Sequence, residues 1–418
     1  MGAPVTVSND PTRSTTPPIN AGGVNWRRNL AALWFAEFMA IFGFSFAFPF
    51  LSIFLNKDLG VPAGRDLYLW TAASASASGL AMAIASPIWG VLGDRLGRKP
   101  MLVRSMLGGA ITVGLIFFAR NPIELVVLRL LQGATSGTVA AATALVAAET
   151  PRSRVGWALG VVTSAVALGG AIGPVVGGFA GERFGLRLVF LGGGILLLVS
   201  LVPVMVVVRE SPVARRAGPR LSTLAAIDRQ PGLKRQLAVL IGAQGMISVC
   251  NSATQVLVVL RLIEMLPRGA AAASGLGFGL AGLASSAAAV AYTRVTRRLG
   301  YVSTAAAAAG LVAFAVTLIG VAPWAALVVA GVGLNGLFSG VVIPATASMI
   351  GLDTPHEAQS TVFGLNASSV AFGFFLGPLI AGSVAAVTGS VPPALFVAAA
   401  LAVLLAAILG GWAREPAR

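Results

Sequence analysis

Gly90-Val-Leu-Gly-Asp-Arg-Leu-Gly-Arg-Lys-Pro-Met-Leu102 is a short charged stretch between two long apolar runs. Charged residues make up only 10% of the chain, so four of them within six positions are conspicuous. Glycine permits a backbone turn too tight for residues that carry a Cβ atom, and basic side chains suit the polar face of a membrane. The sequence therefore predicts a tight turn between two membrane helices. Its defining positions are Gly90, Asp94, Arg95, Gly97, Arg98 and Lys99.

The runs on either side of this turn belong to an apolar chain of 418 residues, 56% hydrophobic, with a mean hydropathy of +0.88. Soluble chains are about 45–50% apolar, and about 20 apolar residues cross a bilayer as a helix. We therefore predict an all-α membrane protein with twelve transmembrane helices. The spans run approximately over 29–55, 67–92, 101–119, 122–148, 155–180, 186–208, 237–263, 270–293, 302–321, 324–350, 361–387 and 391–412.

The distribution of basic residues predicts the orientation of these spans. With both termini on one side, 21 Lys and Arg fall in the segments on that side and 7 on the other, and Arg129 alone lies within a span. Cytoplasmic loops carry the excess of Lys and Arg. We expect a multi-pass protein of the plasma membrane with both termini in the cytoplasm. The net charge of +15 then reflects topology and contact with anionic lipid, and not binding to nucleic acid.

Composition also divides the chain into segments. We expect a disordered cytoplasmic tail over 1–25, a first six-helix bundle over 26–208, a basic cytoplasmic loop over 209–236, a second bundle over 237–412 and a short C-terminus over 413–418. Cys250 is the only cysteine and His356 the only histidine. These counts exclude an intrachain disulfide and argue against a metal cluster. We interpret His356 as a solvated loop residue.

The charged turn fits the pattern G-x-L-x-D-R-x-G-R-K-x-x-L, which resembles the loop signature of the major facilitator superfamily of transporters. The resemblance implies two pseudo-symmetric six-helix bundles that move a small-molecule substrate across the membrane, with the turn as a cytoplasmic gate that stabilises the outward-open state. The sequence contains no nucleotide-binding motif. We therefore expect a monomeric carrier without a cofactor, not an enzyme, that draws its energy from protons.

Glu37 is the one acidic residue that the sequence places deep in an apolar span. It lies roughly 12 Å inside, since a helix rises ~1.5 Å per residue. An ionised carboxylate there costs several kcal/mol unless it faces a cavity or a partner. We interpret Glu37 as functional, with a structural hydrogen bond as the alternative. Its frame with Gly43 and Pro49 resembles the first helix of bacterial drug:proton antiporters, which implies recognition of protons and cationic drugs; some of those proteins carry a second carboxylate where this chain has Ser45.

Two further motifs resemble this antiporter branch. Arg129-Leu-Leu-Gln132-Gly133 resembles its R-x-x-Q-G motif, which implies that Arg129 takes part in proton transfer, with a purely structural arginine as the alternative. Small residues at every fourth position of the fifth span allow close helix packing, and the proline bends that helix. The resemblance implies drug export for this motif, whose residues are Gly169, Gly173, Pro174, Gly177 and Gly178.

The two halves of the chain repeat one another. Gly133, Ser136, Gly137 and Thr143 recur as Gly336, Ser339, Gly340 and Thr346 at an offset of 203, and the glycine motif of the fifth span recurs in the eleventh at an offset of 204. Matched halves around a central loop are the layout of a two-bundle transporter. In the second copy of the charged turn, Arg297 replaces the acid, so the two gates differ in charge.

The remaining candidates are uncharged. Amides at one-face spacing in apolar helices bind substrate or link helices, and the sequence leaves both roles open. We expect a large apolar cavity in which Phe42, Phe44, Phe46 and Phe48 take part. The candidate cavity residues are Phe44, Phe48, Gln132, Gln244, Asn251, Gln255, Asn335 and Ser339.

The leading hypothesis is export of amphipathic drugs in exchange for protons. Symport or uniport of a single metabolite, such as a sugar or an organic acid, is the alternative. A membrane sensor or assembly factor on the same scaffold is a third hypothesis, because a fold alone does not establish function.

Overall fold

The computed structural model describes residues 25–211, 232–266, 268–355 and 358–416, without the side chains of Asp94, Arg152 and Ser360. The tail predicted before residue 25, most of the predicted loop over 209–236, and His356 lie outside the described residues. Within the described part, the chain is helical, and twelve helices are long and apolar enough to cross a membrane. The prediction of a twelve-helix all-α membrane protein is confirmed.

The helices have the following bounds. The first half contains α1 (Trp26–Ala47), α2 (Leu51–Lys57), α3 (Arg65–Leu96), α4 (Arg98–Leu115), α5 (Pro122–Thr135), α6 (Thr138–Glu149), α7 (Val155–Phe184) and α8 (Leu186–Val206). The second half contains α9 (Leu233–Met265), α10 (Ala270–Leu299), α11 (Tyr301–Val321), α12 (Ala325–Asp353), α13 (Gln359–Thr388) and α14 (Val391–Trp412). Helices α1 and α2 form one span, and α5 and α6 form another.

The charged turn is shorter than the sequence predicts. Helix α3 runs on through Gly90 and Asp94 to Leu96, and α4 begins at Arg98, so Gly97 alone separates the two helices. Gly97 has φ +104°, which residues with a Cβ atom rarely adopt. The other glycines of the motif are helical, because one residue in this conformation is enough to reverse the chain.

The fourth span is broken, which the sequence does not predict. Gly137 has φ +123° between α5 and α6. The break frees carbonyl groups at the end of α5, and Arg104 of α4 donates to those of Thr135 (3.2 Å) and Ser136 (3.1 Å). The Arg104 guanidinium also lies 3.8 Å from the centre of the Trp89 ring. The carbonyl groups freed at the end of α5 thereby have hydrogen-bond partners.

The small-residue motif of α7 packs two different helices. A Cβ atom on Gly169 would lie 2.8 Å from the carbonyl oxygen of Phe38, and one on Gly173 would lie 2.7 Å from Ser45, so this face contacts α1. A Cβ atom on Gly178 would lie 2.5 Å from the carbonyl oxygen of Ala271, so the next face contacts α10 of the other half. The motif therefore holds the first bundle together and also joins the two bundles.

The sequence repeat corresponds to a repeat of contacts. Gly133 of α5 packs on the backbone of Ser78, and its counterpart Gly336 of α12 packs on the backbone of Ala281. Gly133 and Gly336 are 203 residues apart, and so are Ser78 and Ala281. The second copy of the turn keeps the geometry of the first, since Gly300 has φ +83° between α10 and α11.

The two halves meet through α3 with α13 and α7 with α10. Close glycine contacts between them lie from the middle of these helices toward the end opposite the chain termini, as for Gly382 against Tyr68 and Gly178 against Ala271. We call this the distal end, and the other the terminal end. At the terminal end of α3, Ile88 and Val91 are exposed. The close contacts between the halves lie toward the distal end, and we therefore interpret the cleft between them as open toward the terminal end.

A pair of glutamates stabilises the terminal ends of the two halves. The carboxylate of Glu210 accepts hydrogen bonds from the backbone N–H groups of Arg98 (2.8 Å) and Lys99 (2.9 Å), at the first turn of α4. The carboxylate of Glu415 does the same for Tyr301 and Val302 at the first turn of α11. A carboxylate is favourable there because unpaired N–H groups and the helix dipole make a helix N-terminus positive.

We expect Glu210→Ala to lower the stability of the purified protein by about 1–2 kcal/mol, because two charge-assisted hydrogen bonds are lost at a helix N-terminus. Glu415→Ala should have a smaller effect, since its bonds are more exposed to solvent. The two sites lie on different halves, so the effects should add in the double variant. Thermal unfolding in detergent measures all three. Equal stability of Glu210→Ala and the parent would contradict the capping role.

Candidate functional site

Glu37 lies inside the first half, on the face of α1 toward α6. Its side chain is fully buried, and neither carboxylate oxygen has a hydrogen-bond partner among the described residues. Thr138 at the start of α6 approaches it without reaching hydrogen-bond geometry. An ionised carboxylate without partners is very costly in such an interior. The environment therefore favours the protonated, neutral acid.

Arg129 of α5 is buried and held by three hydrogen bonds. Its Nε donates to the carbonyl of Ser74 (3.2 Å), Nη2 to the hydroxyl of Ser78 (2.6 Å), and Nη1 to Oε1 of Gln132. The guanidinium also lies 4.3 Å from the centre of the Phe48 ring, which favours a cation. These are dipolar partners, and no carboxylate pairs with Arg129 among the described residues. The side chain is a fixed positive charge near the middle of the first half.

Glu37 and Arg129 form no hydrogen bond with one another, since neither carboxylate oxygen has a partner among the described residues. The two residues lie on different helices. Among the described residues, Glu37 accepts no hydrogen bond and Arg129 has no carboxylate partner. A proton leaving Glu37 would create a negative charge, and the Arg129 guanidinium is a buried fixed positive charge in the same bundle. The arrangement allows Arg129 to stabilise the ionised acid through the electrostatic field or after a movement of the helices.

The phenylalanines predicted to line the cavity pack mainly against other residues of the first half. The ring of Phe44 packs on Gly109 of α4, and Phe48 lies beneath Arg129. Phe42 and Phe46 belong to a row of rings along α1 that begins at Trp34, with neighbouring centroids 5.6 to 5.9 Å apart. Aromatic residues four positions apart on a helix stack in this way.

Two of the predicted cavity amides bond to other groups of the protein instead. Gln132 is bonded to Arg129, and Gln244 is buried and donates to the carbonyl of Ile343 at 3.0 Å. The latter bond joins α9 to α12. The sequence left open whether these amides bind substrate or link helices. Gln244 links two helices, whereas Gln132 holds Arg129 on its own helix.

The other four predicted polar residues come together in the second half. They line a pocket of about 270 Å³ between α9, α10, α12 and α13. Oδ1 of Asn251 accepts from the hydroxyl of Ser339 (2.9 Å) and from Nδ2 of Asn335 (3.3 Å). Oδ1 of Asn335 is buried and accepts no hydrogen bond. The four residues are Asn251, Gln255, Asn335 and Ser339.

The basic residues of the charged turn have different environments. Lys99 donates to the carbonyls of Met205 (3.4 Å), in the last turn of α8, and of Val208 (2.7 Å), just beyond it. Arg95 is exposed, and Arg98 is half-buried with its backbone N–H bound by Glu210. The side chain of Asp94 lies outside the described residues. Lys99 and Glu210 therefore fix the turn to the end of the first bundle.

Two carboxylates that the sequence analysis does not single out join the halves at the distal end. Glu264 of α9 accepts from the Tyr68 hydroxyl of α3 at 2.7 Å, and Arg261 lies 3.2 Å from its other oxygen. Glu182 of α7 accepts from the backbone N–H of Ala271 in α10 at 3.0 Å. We call these two contacts the distal latch. Both acids lie near span ends, where acidic residues are common, so sequence alone does not distinguish them.

Comparison with known proteins agrees with this architecture. Residues 33–301 and 256–418 match the family model described as Major Facilitator Superfamily. The chain is 32% identical to the multidrug resistance protein MdtG of Enterobacter lignolyticus (strain SCF1) over 396 residues, which cover 93% of this chain and 92% of that protein. It is 39% identical to the multi-drug resistance efflux pump PmrA of Streptococcus pneumoniae serotype 4 over 194 residues, 46% of this chain and 48% of that one.

Solved structures share the fold. The crystal structure of the nucleoside transporter NupG matches with a TM-score of 0.71 at 15% identity, covering 91% of this chain and 98% of that chain. Identity that low supports the fold alone. With the family model matching most of the sequence, and with two repeated six-helix halves around a cleft, this chain belongs to the Major Facilitator Superfamily.

Proposed function

We propose that this transporter exports amphipathic drugs from the cytoplasm in exchange for protons, by alternating access. The observation that carries the proposal is Glu37, a buried carboxylate without a partner, in the same bundle as the fixed charge of Arg129. Such a carboxylate is stable when protonated and unstable when ionised. Its protonation state can therefore bias the transporter between conformations. The names of the relatives, a multidrug resistance protein and a multidrug efflux pump, support drugs as the substrate class.

The proposed direction follows from the orientation of the chain. We place the terminal end in the cytoplasm of a bacterium, because the segments there hold 21 of the Lys and Arg against 7 on the distal side. The cleft that opens toward the terminal end would then face the cytoplasm, where a drug enters. We propose that the monomer carries out the whole cycle within the plasma membrane.

Import or facilitated passage of a single metabolite is the second candidate. The pocket of the second half favours it, because the amides of Asn251, Gln255 and Asn335 could pair with the hydroxyl groups of a sugar. The buried carboxylate and the names of the relatives favour drug export.

Transport into everted membrane vesicles tests the proposal, since export then appears as uptake. We expect an acidic vesicle interior to drive uptake of fluorescent amphipathic drugs, and we expect an ionophore that collapses the pH gradient to abolish that uptake. Drug uptake that ignores the gradient would refute proton exchange. Transport of a sugar or organic acid with no transport of drugs would establish the second candidate.

We predict that Asp94→Asn slows the cycle and leaves substrate affinity nearly unchanged, because the charged turn lies at the membrane face and substrates of such folds bind near the midplane. A lost charge-assisted hydrogen bond of ~1–3 kcal/mol would shift the conformational equilibrium toward inward-open about 10- to 100-fold. Equilibrium binding and single-turnover transport on purified protein separate the two effects. A variant that binds poorly and cycles normally would place Asp94 in the substrate site.

We predict that Tyr68→Phe opens the distal end. The substitution removes one hydroxyl that donates to the carboxylate of Glu264 across the halves. A hydrogen bond to a charged group contributes about 1.5–3 kcal/mol, so the population open at the distal end should rise at least tenfold. Distances between spin labels on cysteines placed at the exposed positions Asp66 and Arg268 measure this population.

The native cysteine does not interfere strongly, because Cys250 is buried and can be replaced by serine. Tyr292→Phe is the matched control. Its hydroxyl bonds to Ser348 within the second half at 2.9 Å, so its loss should leave the distal distances unchanged. Identical distance distributions for Tyr68→Phe and the parent would show that this contact does not hold the distal end closed.

A further inference from the structure

The pocket of the second half carries hydrogen-bonding groups that the protein leaves unused. Oδ1 of Asn335 is buried without a donor, and Nδ2 of Asn251 and the amide of Gln255 donate to none of the described residues. A buried acceptor without a partner costs about as much as a lost hydrogen bond. Native interiors contain few such groups, and each needs an explanation. One such explanation is a ligand that supplies the missing hydrogen-bond partner.

The unused groups form a complementary set. Nδ2 of Asn251 is a donor and Oδ1 of Asn335 is an acceptor, and the two amides are already bonded to each other at 3.3 Å. Oδ1 of Asn335 is closed off from solvent although the residue lines the pocket. Because the terminal torsion of asparagine is soft, we expect the amide to rotate so that a ligand can reach this oxygen. Rotation of both amides by half a turn exchanges donor and acceptor and leaves the same requirement. A ligand that pairs with both groups must present a donor and an acceptor close together, because the two amides are in contact.

The rest of the pocket defines the body of the ligand. Phe278 and Phe374 supply aromatic faces, and none of the residues that line the pocket is ionisable. An ionic ligand would lose its hydration in this pocket, and no opposite charge among the lining residues would compensate for that loss. In the first half Glu37 is fully buried and Arg129 is already occupied, so neither serves a ligand in this pocket.

We propose that the pocket binds the uncharged carboxamide or lactam group of a neutral aromatic compound, with Asn335 and Asn251 as the residues that select it. A carboxamide carries an N–H donor and a C=O acceptor on the same carbon atom, which suits two asparagine amides in contact. The inference rests on the proposed export of amphipathic compounds and names a substrate class for it. The amide group of the ligand would bind in the second half, whereas the proton would bind in the first half.

Binding of 2-naphthamide to the full-length protein in lipid nanodiscs tests this assignment, with naphthalene fluorescence as the signal. N,N-dimethyl-2-naphthamide lacks the N–H donor, and 2-naphthyltrimethylammonium is a cation of similar size. We expect the primary amide to bind at least fivefold more tightly than either analogue. This comparison uses only the parent protein, so it does not depend on the folding of any variant. Tighter binding of the cation, or equal binding of the two amides, would overturn the proposal.

Asn335→Leu should weaken 2-naphthamide binding about three- to tenfold, the equivalent of one lost hydrogen bond, and should leave the dimethyl amide unaffected. Asn366→Leu is the matched control, because Asn366 of α13 also has a buried Oδ1 without a partner but does not line the pocket. Unchanged amide binding in Asn335→Leu would overturn the assignment, as would displacement of the probe by glucose. Binding with no proton-driven transport would refute the export function and leave the pocket assignment standing.

Discussion

Glu37→Gln is expected to abolish efflux driven by a pH gradient while the protein still folds and inserts. Glutamine has nearly the shape of the protonated acid and cannot ionise. The variant should therefore mimic the protonated state of Glu37 permanently. The carboxyl is fully buried and has no hydrogen-bond partner, so an uncharged amide fits the site at little cost in stability. The expected loss is therefore one of coupling, and not of structure.

Two measurements on everted vesicles distinguish these possibilities. Drug uptake driven by an acidic interior should fall to the background of empty vesicles. Exchange of labelled for unlabelled drug at equal pH on both sides requires no net proton movement, and it should persist in the variant. Normal gradient-driven uptake by Glu37→Gln would show that the coupling proton binds elsewhere.

Glu124→Gln is the matched control for this experiment. Glu124 is an exposed acid in the first turn of α5, where it accepts from the backbone N–H of Arg120 and from the Asn121 amide. The substitution makes the same change from a carboxylate to an amide, but at a position outside the apolar interior. We expect this variant to transport like the parent.

The features that followed from the sequence are those with a strong local pattern. Long apolar runs predicted the twelve spans, and repeated glycines predicted both the packing of α7 and the duplication of the fold. Gly97 and Gly300 have the positive φ angles that end one helix and start the next. In each case the residue type itself restricts the backbone or the environment.

The features that did not follow depend on tertiary partners. Gly137 breaks the fourth span because Arg104, from another helix, binds the freed carbonyls. Glu210 caps α4 from more than a hundred residues away. One pattern could have revealed the cap, because the pair Arg209-Glu210 recurs as Arg414-Glu415 after the last span.

The site candidates illustrate the same limit. Helical spacing placed Gln244 and Asn251 on one face of α9, yet Gln244 bonds to the backbone of α12 and Asn251 lines the pocket. Residues seven apart lie about 10 Å apart along a helix, so the two side chains meet different groups of the same neighbour, α12. Spacing along one helix therefore cannot separate an amide that links helices from one that faces a cavity.

Arg129→Ala is expected to remove nearly all proton-coupled transport. The guanidinium is the fixed positive charge buried in the first half, and nothing else in its surroundings replaces that charge, because its partners are Ser74, Ser78, Gln132 and the ring of Phe48. Without it, ionised Glu37 loses the one cation that is classed as buried among the described residues of its bundle, and the acid should stay protonated throughout the cycle.

The stability of this variant should change little, which separates the effect from unfolding. Removal of the side chain leaves the Ser78 hydroxyl and the Gln132 carbonyl oxygen without a partner, at about 1–3 kcal/mol each. It also removes a buried cation that has no carboxylate partner, and this relieves a desolvation penalty of several kcal/mol. The two effects have opposite signs and similar size. Thermal unfolding of Arg129→Ala should therefore lie close to that of the parent.

Arg129→Lys completes the test, since it keeps the charge and loses the shape. A lysine ammonium can replace only part of the three-donor arrangement, and unlike arginine it can lose its proton when buried. We expect partial transport that declines as the pH rises, because the neutral amine supplies no positive charge. Arg183→Ala, at an exposed position in the last turn of α7, controls for the loss of an arginine as such and should behave like the parent. If Arg129→Ala transports normally, the arginine only packs α5 against α3, and the proton follows a route that does not involve this charge.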